Sequence, residues 1–111
     1  MGKYETIHAN AEKTFSDFIS EIKRGTVENA IELAHQITVK QEIVYLLSDE
    51  AFLSRFSVET LDEMANFPYL LDWLYEDWLH SDYSLLNEVK PSIEFTLSTR
   101  TLPAQNTNLF D

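Results

Sequence analysis

Apolar positions recur at helical spacing along most of the chain. Tyr4, Ile7, Ala11, Phe15, Phe18, Ile19 and Ile22 keep a 3.6-residue period, which predicts a first helix from Tyr4 to Arg24. Lys23 and Arg24 suit the negative end of its dipole, and Gly25 is a stop signal. Thr26 is an N-cap for a second helix, with Val27, Ala30, Ile31, Ala34 and Ile37 as its stripe. From Ile37 to Leu47 the pattern also fits a period of two. Helix is the preferred reading, with a break near Thr38, because no Gly or Pro punctuates the segment.

Ser48-Asp49-Glu50 reads as a cap before a short helical piece, Ala51 to Phe56. Ser57 caps another helix, with Val58, Leu61, Met64 and Ala65 facing inward and Asn66 at its end. Pro68 fits the first position of the next helix, which runs to about His80. That helix carries both tryptophans. Leu70, Leu71, Leu74, Tyr75 and Trp78 wrap more than half of its circumference, so it is either the central helix of the bundle, the preferred reading, or leaves one aromatic side for a partner or a second copy. Leu85, Leu86 and Val89 extend a stripe that Pro91 ends or kinks. Ile93, Phe95, Leu97, Thr99 and Thr101 then alternate as a strand would, while Leu86, Val89, Ile93 and Leu97 fit a kinked helix; helix is preferred, with a short strand near 92–101 as the alternative. The expected fold is an all-α bundle of five or six helices over residues 1–100, with a flexible tail at 101–111. Its expected core is Phe15, Phe18, Ile22, Ile31, Ile37, Leu47, Leu61, Leu71, Leu74 and Trp78.

Composition narrows function mainly through charge. The 111 residues include 19 acids and 8 bases, a net charge of -11. Such a surface repels nucleic-acid phosphates and anionic membranes and attracts basic protein surfaces. Direct nucleic-acid binding and membrane binding are therefore not expected. Residues 48–90 concentrate the charge: ten acids face only Arg55 and Lys90. No cysteine is present, which removes disulfides and cysteine-based zinc sites. The start of the chain lacks the apolar run of a secretory leader, and no apolar run spans a bilayer, so a cytoplasmic protein is expected.

Motifs for catalysis are missing: no H-E-x-x-H, phosphate loop or nucleophile elbow occurs. His8 and His35 stand apart from any such motif, and His35 reads as a half-buried packing residue. Asp72, Glu76 and His80 lie along one helix face, where a divalent cation or a plain polar surface is the choice; the polar surface is preferred. Glu59, Asp62 and Glu63 form one group of like charges and Asp72, Glu76 and Asp77 another. Like charges one turn apart cost a few tenths of a kcal/mol per pair; they read either as a solvated face on a stable helix, the preferred reading, or as a phosphate-like row that occupies a basic groove of a partner. Trp73 is the aromatic that the core pattern does not place, and it joins these acids as a partner-binding candidate.

Ile37-Thr-Val-Lys-Gln-Glu-Ile43 and the helix bearing Pro68, Tyr69, Tyr75 and Trp78 resemble a helical domain family of unknown function from Gram-positive bacteria and their mobile elements. The resemblance covers roughly residues 26–97, departs at Tyr69 where leucine is usual, and implies a helical fold without an active site. In size and acidity, though in no motif, the chain is similar to anti-CRISPR proteins that cover basic surfaces of Cas9. The expected function is non-enzymatic, with no cofactor and no metal: an acidic inhibitor that occupies a basic nucleic-acid-binding surface of a Cas nuclease. Reversing Asp72, Glu76 and Asp77 together is then expected to abolish inhibition and leave the fold intact. The alternative is a homo-oligomeric accessory protein, in which a second copy is the partner.

Overall fold

The structure, a computed structural model, describes residues 2–24, 30–84, 88–99 and 102, without the side chains of 24 and 30–32. Six α-helices occur among these residues: α1 (Lys3–Arg24), α2 (Ala30–Leu47), α3 (Glu50–Leu53), α4 (Val58–Ala65), α5 (Leu70–Leu79) and α6 (Lys90–Thr99). A single 3-10 turn, Asp82–Ser84, follows α5. The all-α bundle expected from the periodicity is the fold.

Local chemistry sets several of the boundaries. Asp49 caps α3 by accepting from the Ala51 N–H at 3.0 Å, and Ser57 caps α4 by accepting from the Thr60 N–H at 3.1 Å. Asn66 closes α4, its N–H donating back to the Asp62 carbonyl at 3.1 Å. The α5 start differs from expectation. Pro68 and Tyr69 form a turn, and the helix begins at Leu70. The Pro68 carbonyl is instead taken by the Thr14 hydroxyl of α1 at 3.1 Å.

Two ambiguous segments are helical. No break occurs near Thr38, whose hydroxyl donates to the Ala34 carbonyl at 3.0 Å within a continuous α2. Residues 92–99, read alternatively as a strand, belong to α6. Pro91 neither kinks nor ends a helix. It is the second residue of α6, where no intrahelical partner awaits its missing N–H. Val89 precedes the helix and accepts from the Ile93 N–H. The expected start of the second helix at Thr26, the stripe residues Leu85 and Leu86, and the tail at 103–111 lie outside the described residues.

Helix α5 is central, packing on α1, α2 and α6. Leu70, Leu71, Leu74, Tyr75 and Trp78 are all buried. Around them lie Ile7 and Ala11 of α1, Ile43 and Leu47 of α2, Phe52 and Leu53 of α3, Met64 of α4, and Ile93 and Leu97 of α6. Trp78 donates its indole N–H to the Glu88 carbonyl at 2.6 Å, which ties the chain before α6 to α5.

The expected core is half right. Leu47, Leu61, Leu71, Leu74 and Trp78 are buried, but Phe15, Phe18, Ile22 and Ile37 are only half-buried, and the Ile31 side chain lies outside the described set. For Phe15, Phe18 and Ile22, all on α1, the length of that helix against α4 and α5 explains the difference. At about 1.5 Å per residue, the 22-residue α1 is roughly twice as long as the 10-residue α5. Its first half meets α4 and the core; its second half lines a groove. Val58, expected to face inward, is exposed at the start of α4.

Candidate functional site

The path from α4 into α5 runs alongside α1, held by contacts in register. Lys3 pairs with Asp62 at 2.9 Å, and Asn10 reaches the Ala65 carbonyl at 3.5 Å. Thr14 then holds Pro68, as above. This register delivers Asp72 to the second half of α1, where Phe18 and Lys40 meet it.

Lys40 is the only charged residue buried among the described residues. Its ammonium sits between one carboxylate of α5 and two aromatic rings, one from α1 and one from α5. The Nζ is 3.0 Å from Asp72 Oδ1, 3.9 Å from the Phe18 ring centroid and 5.3 Å from that of Tyr75. A buried ammonium needs such compensation: one carboxylate and two ring faces replace its lost water.

Beside this pocket lies a groove of about 730 Å³ between α1, α2 and α5. Asp17 and Glu21 line it from α1, Gln36 and Lys40 from α2, and Asp72, Tyr75 and Glu76 from α5, with Pro68 and Tyr69 at its edge. Asp17 is bridged by Lys13 at 3.1 Å, as Asp72 is by Lys40. No lysine or arginine bridges Glu21 or Glu76 among the described residues. Burial pushes the Tyr75 phenol above its ordinary range, and the charge of Glu76 pushes it further.

The sequence-derived candidates do not form one face. Glu59 and Glu63 are exposed on α4, and Asp62 beside them is committed to Lys3. Asp72 and Glu76 border the groove. Asp77 turns toward α6 and accepts from the buried Thr96 hydroxyl at 2.6 Å. Trp73 is half-buried, its ring edge-on to Phe67 with centroids 6.4 Å apart. It packs on the core edge and does not line the groove. The sequence does not mark Asp17, Glu21 or Lys40 as site residues, and it presents Phe18 as a core residue. A lysine at stripe spacing with Ile37, Val44 and Leu47 was the available signal.

The histidines have local partners. His80 Nδ1 lies 2.8 Å from the Glu76 carbonyl oxygen, one turn back, and 3.9 Å from its carboxylate. The row Asp72, Glu76 and His80 is thus split between Lys40 and the helix backbone, and no three metal-ligating side chains converge among the described residues. His8 contacts Ser48 and lies 3.7 Å from Glu12. Ser48 Oγ also lies 2.7 Å from the Val44 carbonyl oxygen, so the pair latches α1 to the end of α2. The ring of His35 stands 6.0 Å from Trp78, but the residue is exposed, not half-buried as expected.

No helix among the described residues is long and apolar enough to cross a membrane. Compared with protein-family models, curated proteins and solved structures, the chain shows no match to any of the three.

Proposed function

We propose that the protein is a non-enzymatic acidic binding protein that occupies a basic, nucleic-acid-binding surface of a protein partner, in the manner of an anti-CRISPR inhibitor of a Cas9-type nuclease. The observation that carries this reading is how the ion pairs divide the charge. Lys3, Lys13, Lys40 and Arg55 are bound internally to Asp62, Asp17, Asp72 and Glu94. Glu21, Glu59, Glu63 and Glu76 are exposed and bridged by no lysine or arginine among the described residues. The internal pairs neutralise part of the acidic excess and leave these carboxylates to act outward. Exposed carboxylates on rigid helices speed association with a basic surface and make it weaken with salt.

The test is inhibition of DNA cleavage by a Cas9-type nuclease, with Glu59→Lys/Glu63→Lys/Glu76→Lys as the variant. These three positions are exposed, so the helical signal in circular dichroism is expected to persist while inhibition is lost. Inhibition by the triple variant equal to wild type, or no inhibition by wild type, sinks the reading.

A second reading, a homo-oligomeric accessory protein, draws on α6. Phe95 is 54% exposed there, against the ring of Tyr83 at 6.5 Å. A self-interface over this pair predicts a dimer mass in solution that Phe95→Glu reduces to a monomer. A monomeric wild type removes it.

A further inference from the structure

Resting on the acidic-binding reading, we infer that the groove between α1, α2 and α5 is where the basic partner is gripped, and that its occupant is an arginine-bearing segment. The groove volume, about 730 Å³, falls within the range of sites that enclose ligands of several side chains. Its walls are three helices packed on one another, so the cleft exists before any partner arrives.

The walls suit a cation in two ways. Phe18 and Tyr75 already hold an ammonium, that of Lys40, so these rings and the carboxylate of Asp72 form a working cation pocket inside the molecule. Glu21 on α1 and Glu76 on α5 line the same groove from two helices; among the described residues neither is bridged by a lysine or arginine, and Glu76 has only His80 at 3.9 Å. The internal ion pairs neutralise Asp17 and Asp72 and leave these two for an incoming charge. Tyr69, 67% exposed at the groove edge, offers a ring face next to them. A guanidinium fits this set better than an ammonium: it is planar, stacks on rings and forks onto a carboxylate with two N–H donors. A second copy of this chain is a poor occupant, because each copy carries a net charge of -11.

The probe is a hexa-arginine peptide titrated calorimetrically at low salt into the full chain. Two double variants change the net charge equally: Glu21→Gln/Glu76→Gln in the groove and Glu42→Gln/Glu50→Gln, exposed and outside it. Both weaken the overall field by the same amount, so their difference isolates the groove. The groove double is expected to lose about tenfold in affinity or more, the double outside it about threefold or less. Tyr69→Ala is expected to weaken hexa-arginine more than hexa-lysine. Equal losses in the two doubles overturn the groove assignment and leave the acidic-binding reading standing. No binding by wild type overturns the groove assignment outright, and the nuclease assay then decides the broader reading by itself.

Discussion

Lys40 and Asp72, 32 residues apart, form an ion pair of 3.0 Å in which the lysine side chain is 6% exposed and the aspartate 48%. The asymmetry decides what each substitution does. Asp72→Asn keeps an amide oxygen as acceptor but removes the countercharge, leaving a buried ammonium without a carboxylate. Lys40→Met removes the charge and keeps an unbranched apolar stem among Phe18 and Tyr75. A buried charge stripped of its partner costs more than the pair replaced by apolar packing. Asp72→Asn is therefore expected to destabilise by about 1–2 kcal/mol, the lower part of the usual range because water reaches Asp72. Lys40→Met is expected to fall within about 1 kcal/mol of wild type. Urea denaturation measures both; a larger loss for Lys40→Met would contradict the assigned roles.

Thr96 and Asp77 hold α6 against α5. The hydroxyl is buried at 3% exposure and donates to a charged acceptor at 2.6 Å. Thr96→Val keeps the shape and removes the donor. A hydrogen bond to a charged group contributes about 1.5–3 kcal/mol, and the half-buried carboxylate recovers part of that from its surroundings. The expected loss is about 1–2 kcal/mol, seen as a lower denaturation midpoint with an unchanged slope. The same geometry changes the choice of charge reversals. A triple reversal of Asp72, Glu76 and Asp77 strikes the Lys40 pocket and the α6 contact together, so a loss of binding in that variant would not separate surface from fold.

Helical period and capping chemistry carry most of the architecture. Ser57, Asp49 and the stripe through Leu71, Leu74 and Trp78 identify their helices because local sequence and burial agree. The misreadings fall where local rules are silent. Pro91 looks like a breaker from the sequence, yet the same missing N–H is harmless in a first turn, and only the true start of α6 at Lys90 tells the two apart. Phe15 and Phe18 have the spacing of core residues, but spacing cannot reveal that α1 outruns its partners. The acids of α5 show the same limit. Asp72, Glu76 and Asp77 lie within two turns, and their separation onto two sides depends on where α1 and α6 pack. Lys40 was the least legible of all, since a buried lysine is recognised only once its carboxylate and rings are known.

Trp78 is 1% exposed, packed beside Tyr75, and bonded through its indole to Glu88. Trp78→Ala removes the largest side chain of the core. Large-to-small changes of this kind cost about 3–5 kcal/mol. A domain of this size has about 5–15 kcal/mol in total, so the variant is expected to be marginally folded at best. Trp78→Phe keeps most of the bulk and loses the bond to the Glu88 carbonyl, with an expected cost of about 2 kcal/mol. Circular dichroism during thermal unfolding checks the order. The blue-shifted part of the tryptophan emission is expected to disappear in both variants, leaving the half-buried Trp73.

Tyr75 contributes to how stability falls at alkaline pH. Its phenol is held above the ordinary value of 10.0, first by burial and then by the charge of Glu76. Above pH 10 an unfolded chain therefore releases this proton more readily than the folded one. The unfolded state then binds fewer protons, and stability falls as pH rises. The contribution is fully present below pH 10 and is lost as pH rises through the folded-state value. Two variants separate the causes. Tyr75→Phe removes the titrating group, so its loss of stability above pH 10 is expected to be shallower than that of wild type. Glu76→Gln removes the smaller cause, so the phenol is expected to ionise at lower pH than in wild type while staying above 10.0, since burial persists. Absorbance at the tyrosinate band during alkaline titration, paired with denaturation at each pH, measures both. A Tyr75→Phe chain that loses stability above pH 10 as steeply as wild type would remove Tyr75 from this role.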